Sequence, residues 1–165
     1  LIQKKIGRYK GWLSYTLGEI VHNIPGISDN AFYAIYDTRH ELKLFNNFEI
    51  GKWDFGLTWV YGTGKPYTAP YGEYDLTTLD GDTFSYISVG AKNAFRLPDY
   101  HRMDLSINYS MKLGKANGQI GISFFNLYNR VNVWYKEFLV EEEAVIETDV
   151  NLIGFTPNLN VSFKF

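Results

Sequence analysis

The stretch YHRMDLSINYSMKLG, residues 100–114, alternates without a break. Met103, Leu105, Ile107, Tyr109 and Met111 are apolar, while Arg102, Asp104, Ser106, Asn108, Ser110 and Lys112 are polar. A helix brings residues three and four apart onto one face, and a strand brings residues two apart. The alternation therefore predicts a long strand with one oily face and one wet face.

The same period recurs. WDFGLTWVYG (53–62) places Trp53, Phe55, Leu57, Trp59 and Tyr61 on one face, and NLNVSFKF (158–165) does so with Leu159, Val161, Phe163 and Phe165. Residues 8–18, 39–50 and 119–129 alternate less cleanly. With 45% apolar residues, ten alternating positions arise by chance in about one window in a thousand. The repetition predicts an all-β, antiparallel fold of about six strands and no helix.

A strand of this kind packs its apolar face either on a dry core or on lipid. Length favours lipid. Met103 to Met111 spans about 26 Å at the usual rise, which on tilting approaches the apolar band of an outer-membrane barrel. Strands of soluble domains are usually about five or six residues long. Charge placement agrees, since no charged residue takes the apolar parity in 103–111, 53–61 or 159–165. Aromatics make up 18% of the chain. Trp53, Tyr61, Tyr100, Tyr109 and Phe165 fall near strand ends, where interfacial girdles sit.

The connections separate into two kinds. Gly51-Lys52 and GKANG (114–118) are short, whereas 19–37, 64–99 and 130–153 are long. Short turns on one rim and long loops on the other is the layout of a transmembrane β-barrel. Six strands cannot close one, and an open edge is costly in hydrocarbon. Residues 1–165 are thus expected to be the C-terminal part of a larger barrel, unless the long loops hide two further spanning strands. The start, LIQKKIGRYK, has no initiator Met and no signal-peptide core. A targeting segment for export is expected upstream. The net charge of −2 argues against a nucleic-acid partner. With no Cys, there is no thiol chemistry or disulfide framework.

Four stretches carry a family resemblance: GKPYTAPYGEY (64–74), RLPDYHRMDLSINY (96–109), FFNLYNRVNVWYKEF (124–138) and GFTPNLNVSFKF (154–165). Together they resemble the C-terminal barrel of TonB-dependent outer-membrane receptors of the Bacteroidota type, some of which carry an N-terminal carboxypeptidase-regulatory-like domain. The resemblance implies an antiparallel barrel of about 22 strands with a plugged lumen. It implies import of a nutrient (siderophore, vitamin, glycan or peptide) driven by the TonB complex. The implied partners are outer-membrane lipid, the rest of the barrel, the plug domain, the TonB complex and the barrel-assembly machinery, with room for a surface lipoprotein. Leu159, Val161, Phe163 and the terminal Phe165 resemble the signal read by that machinery. No part of the chain matches the family's plug or TonB box. A passive porin, or a structural barrel in a surface complex, is the alternative, and a barrel-borne hydrolase is a third reading.

Candidate sites follow from residue type. Tyr67, Tyr71, Tyr74, Trp134 and Tyr135 crowd the long loops and are expected at a ligand vestibule, since aromatic faces stack on sugars and flat ligands. Arg39, Glu41, Lys43, Arg102 and Asp104 are expected to face the lumen and plug. His40 and His101 raise the hydrolase question, with Ser106 and Asp104 the nearby candidates, but both read more simply as interfacial histidines at strand ends. VEEEAVIETD (140–149) lacks the spacing of a calcium loop and reads as a solvated acidic hairpin. LDGDT (79–83) reads as a hairpin turn. No cofactor, metal site or catalytic residue is expected.

Overall fold

A computed structural model describes residues 1–26, 30–114, 116–141 and 144–164. Phe165, Glu142 and Glu143 lie outside the described residues. The chain is all-β, with no helix among the described residues. In order the strands are β1 (Ile2–Ile6), β2 (Tyr9–Leu17), β3 (Val21–His22), β4 (Phe32–Tyr33), β5 (His40–Ile50), β6 (Trp53–Gly62), β7 (Pro66–Tyr67), β8 (Pro70–Thr77), β9 (Thr83–Val89), β10 (Phe95–Arg96), β11 (Tyr100–Leu113), β12 (Ala116–Phe125), β13 (Val133–Glu141), β14 (Ala144–Asn151) and β15 (Thr156–Lys164).

Seven of them form one antiparallel sheet in the order β1-β2-β5-β6-β11-β12-β15. This is one strand more than the alternation predicts. The extra strand is β1, whose sequence IQKKI puts Lys4 on the apolar parity and so blurs the period. The sheet does not close, and β1 and β15 each keep a free edge.

The register shows what the alternation achieves. One row across the sheet reads Ile6, Tyr9, Phe48, Phe55, Ile107, Ile122, Leu159, so every strand contributes an apolar or aromatic side chain. The next row, on the opposite face, reads Lys5, Lys10, Asn47, Gly56, Ser106, Ser123, Asn158. Slipping any strand by one residue would mix the two faces, which is why the register is strongly specified. Lys4 and Asn46 are exceptions on the apolar face. The Tyr9 hydroxyl donates to Asn46 Oδ1 at 2.6 Å, and the Tyr9 ring lies over the bare backbone of Gly11.

Among the described residues nothing covers the apolar face. Leu159 is 66% exposed and Val161 54%. Among the described residues the buried apolar ones are few, Phe32 and three alanines, Ala34, Ala69 and Ala116. The accessible surface is 11752 Å², whereas a compact monomer of this mass exposes about 8,400 Å². The sheet encloses no core of its own.

Turns and loops separate as the sequence predicts. At one rim, Gly7-Arg8 and Gly51-Lys52 close two-residue hairpins with Ile6 opposite Tyr9 and Ile50 opposite Trp53. Gly7 and Gly51 have φ of 55° and 61°, the left-handed region that glycine enters without a Cβ clash. Strand β12 begins at Ala116, so the third turn is tighter than GKANG suggests. The long connections, 18–39, 63–99 and 126–155, all leave the other rim. They are not structureless, because β3–β4, β7–β10, β8–β9 and β13–β14 pair within them as small two-stranded sheets. None of these joins the seven-stranded sheet.

Candidate functional site

The three long connections form a layer above their rim, held by a few buried polar groups. Asp37 is fully buried in the first connection. Its Oδ1 accepts from the backbone N–H of Ile20 at 2.7 Å, and its Oδ2 meets the Arg96 guanidinium of the second connection at 2.5 Å. Arg96 also donates to the Gly64 carbonyl at 2.9 Å and lies over the Tyr33 ring. Asn93, at positive φ, donates to the Tyr33 carbonyl at 2.6 Å. Burial works against ionisation of Asp37. The Arg96 hydrogen bond, the Ile20 N–H and the charges of Arg96 and Arg39 outweigh it, and hold the carboxyl below its ordinary range.

Gly64 lets the second connection fold back on itself. A Cβ there would run into the Leu97 carbonyl, and Leu97 donates to Lys65 O at 2.9 Å to pair the two segments. Asp99 finishes this join, accepting from the Gly64 N–H at 3.1 Å and the Tyr61 hydroxyl at 2.6 Å.

The segment NLYNRVN, 126–132, ends β12 and launches the third connection. Asn126 is fully buried at φ 52°. Its side chain accepts from Arg130 N at 3.0 Å and donates to Arg130 O at 2.9 Å, while its own N–H donates to Asp104 at 2.9 Å. Asn129 caps the return of the chain by accepting from Phe155 N at 2.8 Å. Asn132 imitates a strand neighbour, bonding both the N–H and the C=O of His101 through its amide.

The second and third connections meet at Tyr67. Its ring lies between Phe95, at 5.8 Å, and Phe138, at 6.2 Å. Lys136 stands beside the ring and pairs with Glu147 and Asp149, the latter at 2.8 Å. Hydrogen bonds to Asp149 and Glu147 raise the Lys136 pKa well above the ordinary lysine value. Burial, with Glu147 adding to it, raises that of Tyr67. Part of the acidic hairpin is therefore neutralised from within, and Asp-Gly at 80–81 forms the expected turn, with Gly81 at φ 96°.

The five vestibule candidates are spread over this layer. Tyr67 is packed as described, and Tyr71 meets the edge of Phe95. Tyr74 stacks on Tyr86 along the β8–β9 hairpin, and Trp134 lies against Tyr135 on β13. Trp134 is 63% exposed and borders a cavity of about 310 Å³ together with Thr38, Glu41, Val60, Gly62 and Tyr100. Glu41, Val60, Gly62 and Tyr100 belong to the polar face, so the cavity lies at the loop end of that face. Tyr100 is a correction. Opposite Gly62, it stands on the polar side, whereas Trp53, Tyr61 and Tyr109, named with it near strand ends, stand on the apolar one.

Among the charged candidates, Glu41 and Lys43 pair at 2.9 Å, and Arg102 pairs with Asp104 at 2.9 Å while covering the Phe125 ring. All four are on the polar face. Arg39 precedes β5 and pairs with Glu19 at the rim. Leu159, Val161 and Phe163 line the apolar face of β15, as their spacing predicts.

His40 and His101 share the apolar face with Tyr61, and Asp104 and Ser106 are on the other, so these residues are not brought together. Each His bonds a tyrosine hydroxyl at 2.8 Å, His40 with Tyr15 and His101 with Tyr128, and Trp59 donates to Tyr128 as well. A second band, Tyr9, Trp53 and Tyr109, follows the short-turn rim.

No known protein family, curated protein or solved structure matches the chain.

Asp37, Asn93, Arg96, Asn126, Asn132 and Lys136 were missed by the reading of the sequence. Closely spaced asparagines in NLYNRVN were the available signal, because Asn tolerates the left-handed region and caps local backbone.

Proposed function

We propose that the chain is part of the wall of a transmembrane β-barrel in the outer membrane of a Gram-negative bacterium. The single observation behind this reading is the uncovered apolar row that crosses all seven strands, from Ile6 to Leu159. Water on such a face is expensive, at about 25 cal/mol for each Å² of apolar surface left exposed. Hydrocarbon on it is not, provided that neighbouring strands satisfy the two free edges. The aromatic bands at both rims, with tyrosine hydroxyls bonded to His40 and His101, suit the two membrane–water boundaries. In this reading the polar face is lumenal, and the long connections form an outer crown.

Within that reading the barrel is a TonB-dependent importer with these strands at its C-terminal end, as the quoted stretches suggest. The crown and the cavity beside Trp134 are where ligand meets this part of the wall. A passive barrel has the same wall, so the two are separated by energetics.

The wall is tested with single-tryptophan forms of the intact protein in vesicles of brominated lipid. Quenching of Trp53 and Trp59, with Trp12 and Trp134 unaffected, is the expected result. Equal quenching of all four, or of none, rejects it. Import that persists after the proton gradient is collapsed rejects the TonB-dependent importer and leaves the passive barrel.

A further inference from the structure

Charge is unevenly shared between the two rims. The short-turn rim carries Lys5, Arg8, Lys10, Lys52, Lys112 and Lys164, while its acids are Glu49 and Asp54. Both acids are occupied. Glu49 pairs with Lys10 at 2.6 Å, and Asp54 accepts from Asn47 at 2.7 Å and Asn108 at 3.4 Å. Among the described residues the other cations of this rim have no acidic partner. Most acids among the described residues lie toward the other end, in the crown.

The turns repeat one pattern. Gly7 is followed by Arg8 and Gly51 by Lys52, and in sequence Gly114 is followed by Lys115, whose placement lies outside the described residues. A hairpin of this type needs glycine at its first central position. It sets no requirement for a cation at the second, so the repeated cation calls for another cause. Lys4 adds a cation on the apolar face itself, on the strand that ends at the Gly7-Arg8 turn. Just inside the turns lies the aromatic band, with Trp53 and Tyr109 in contact at 4.8 Å.

We infer that this rim binds the headgroups of anionic phospholipids, with Lys4 reaching them from the apolar face and Arg8 and Lys52 from the turns. The inference rests on the membrane reading above. Aromatic rings at a bilayer surface sit at headgroup depth, and a long cationic side chain next to them extends its charge to the phosphates. The polar-face cations Lys5, Lys112 and Lys164 strengthen the positive field at the same level.

The test uses the intact protein in mixed bilayers with spin-labelled phosphatidylglycerol or phosphatidylcholine, and measures lipid immobilised at the protein surface. Phosphatidylglycerol is expected to be favoured about threefold, falling toward parity in high salt. The combined change Lys4→Gln, Arg8→Gln and Lys52→Gln is expected to abolish the preference, whereas Lys92→Gln in the crown leaves it. Equal affinity for the two lipids, a preference that survives the triple change, or one insensitive to salt overturns the inference. The salt series on the unaltered protein decides the matter even if the triple variant does not insert. Immobilised lipid without headgroup preference sinks only this inference, whereas no immobilised lipid of either kind sinks the membrane reading as well.

Discussion

The buried carboxylate of Asp37 meets the guanidinium of Arg96 at 2.5 Å across 59 residues of sequence. The pair ties the first long connection to the second. Asp37 is fully buried, but the Arg96 side chain is 32% exposed, so the guanidinium is held partly in water and the carboxylate is not. Removing the cation is the more damaging change, because it strands a buried charge.

Arg96→Gln is therefore expected to loosen residues 19–38 and 63–99 by about 3 kcal/mol, with the strands of the wall unaffected. The folded pKa of Asp37 lies below its unfolded value. Its contribution is complete above the unfolded pKa of about 4, and is lost as pH falls through the folded value. Amide exchange, corrected for its intrinsic pH dependence, should show these two segments losing protection in acid before β6 and β11 do. Simultaneous loss across wall and crown would remove this tie.

Asn126 combines a left-handed backbone with a closed pair of hydrogen bonds to Arg130. Asn126→Ala loses both and strains the backbone, for an expected cost of about 2–3 kcal/mol. Asn126→Gly loses the bonds but relieves the strain, and should cost less. Urea midpoints of the protein in detergent would rank the two. Equal midpoints would mean that φ is not under strain at this position.

At Gly64 the limit is space. The added Cβ of Gly64→Ala would collide with the Leu97 carbonyl, so the pairing of β7 with β10 must open. The change should expose the segment 63–99 to limited proteolysis while Gly18→Ala, where a Cβ meets nothing, should not. Resistance of the Gly64 variant would show that the backbone can shift at little cost.

Lys136 separates two carboxylates on neighbouring positions of one face of β14. Lys136→Met leaves Glu147 and Asp149 facing each other without the cation. The hairpin is expected to loosen at neutral pH and to tighten again as acid protonates the carboxylates, the reverse of the behaviour around Asp37. Trp134 fluorescence on the same hairpin reports the change, and a pH-independent spectrum would count against it.

The two faces of the wall should differ in what they tolerate. Leu105 sits mid-row between Leu57 and Phe124, and Ser123 lies on the opposite face between Ser106 and Asn158. With lipid outside, Leu105→Arg should cost about 2–4 kcal/mol of folding free energy in vesicles, and Ser123→Lys far less. Equal costs would contradict the assignment of the faces.

Much of the seven-stranded sheet was legible in the residues. Alternation in 103–111 and 53–62 is enough to assign each side chain to a face, since a strand has a period of two whatever its surroundings. Strand β1 escaped because Lys4 interrupts its period. Tyr100 was assigned by nearness to a strand end, which says nothing of parity, and the register with Gly62 moved it to the polar side. The crown was scarcely legible. Its ties join residues far apart in the chain, Asp37 with Arg96 and Tyr67 with Phe138, and none follows from local spacing.

By itself the sequence determined that the chain is β-structured, which faces are oily, and that short turns and long connections occupy opposite rims, because these depend on local period and on turn chemistry. Only the tertiary structure decided the seventh strand, the shared rows of the register, the buried ties of the crown and the cavity beside Trp134. Those depend on which distant backbone groups and charges meet, and a one-dimensional pattern does not contain that pairing.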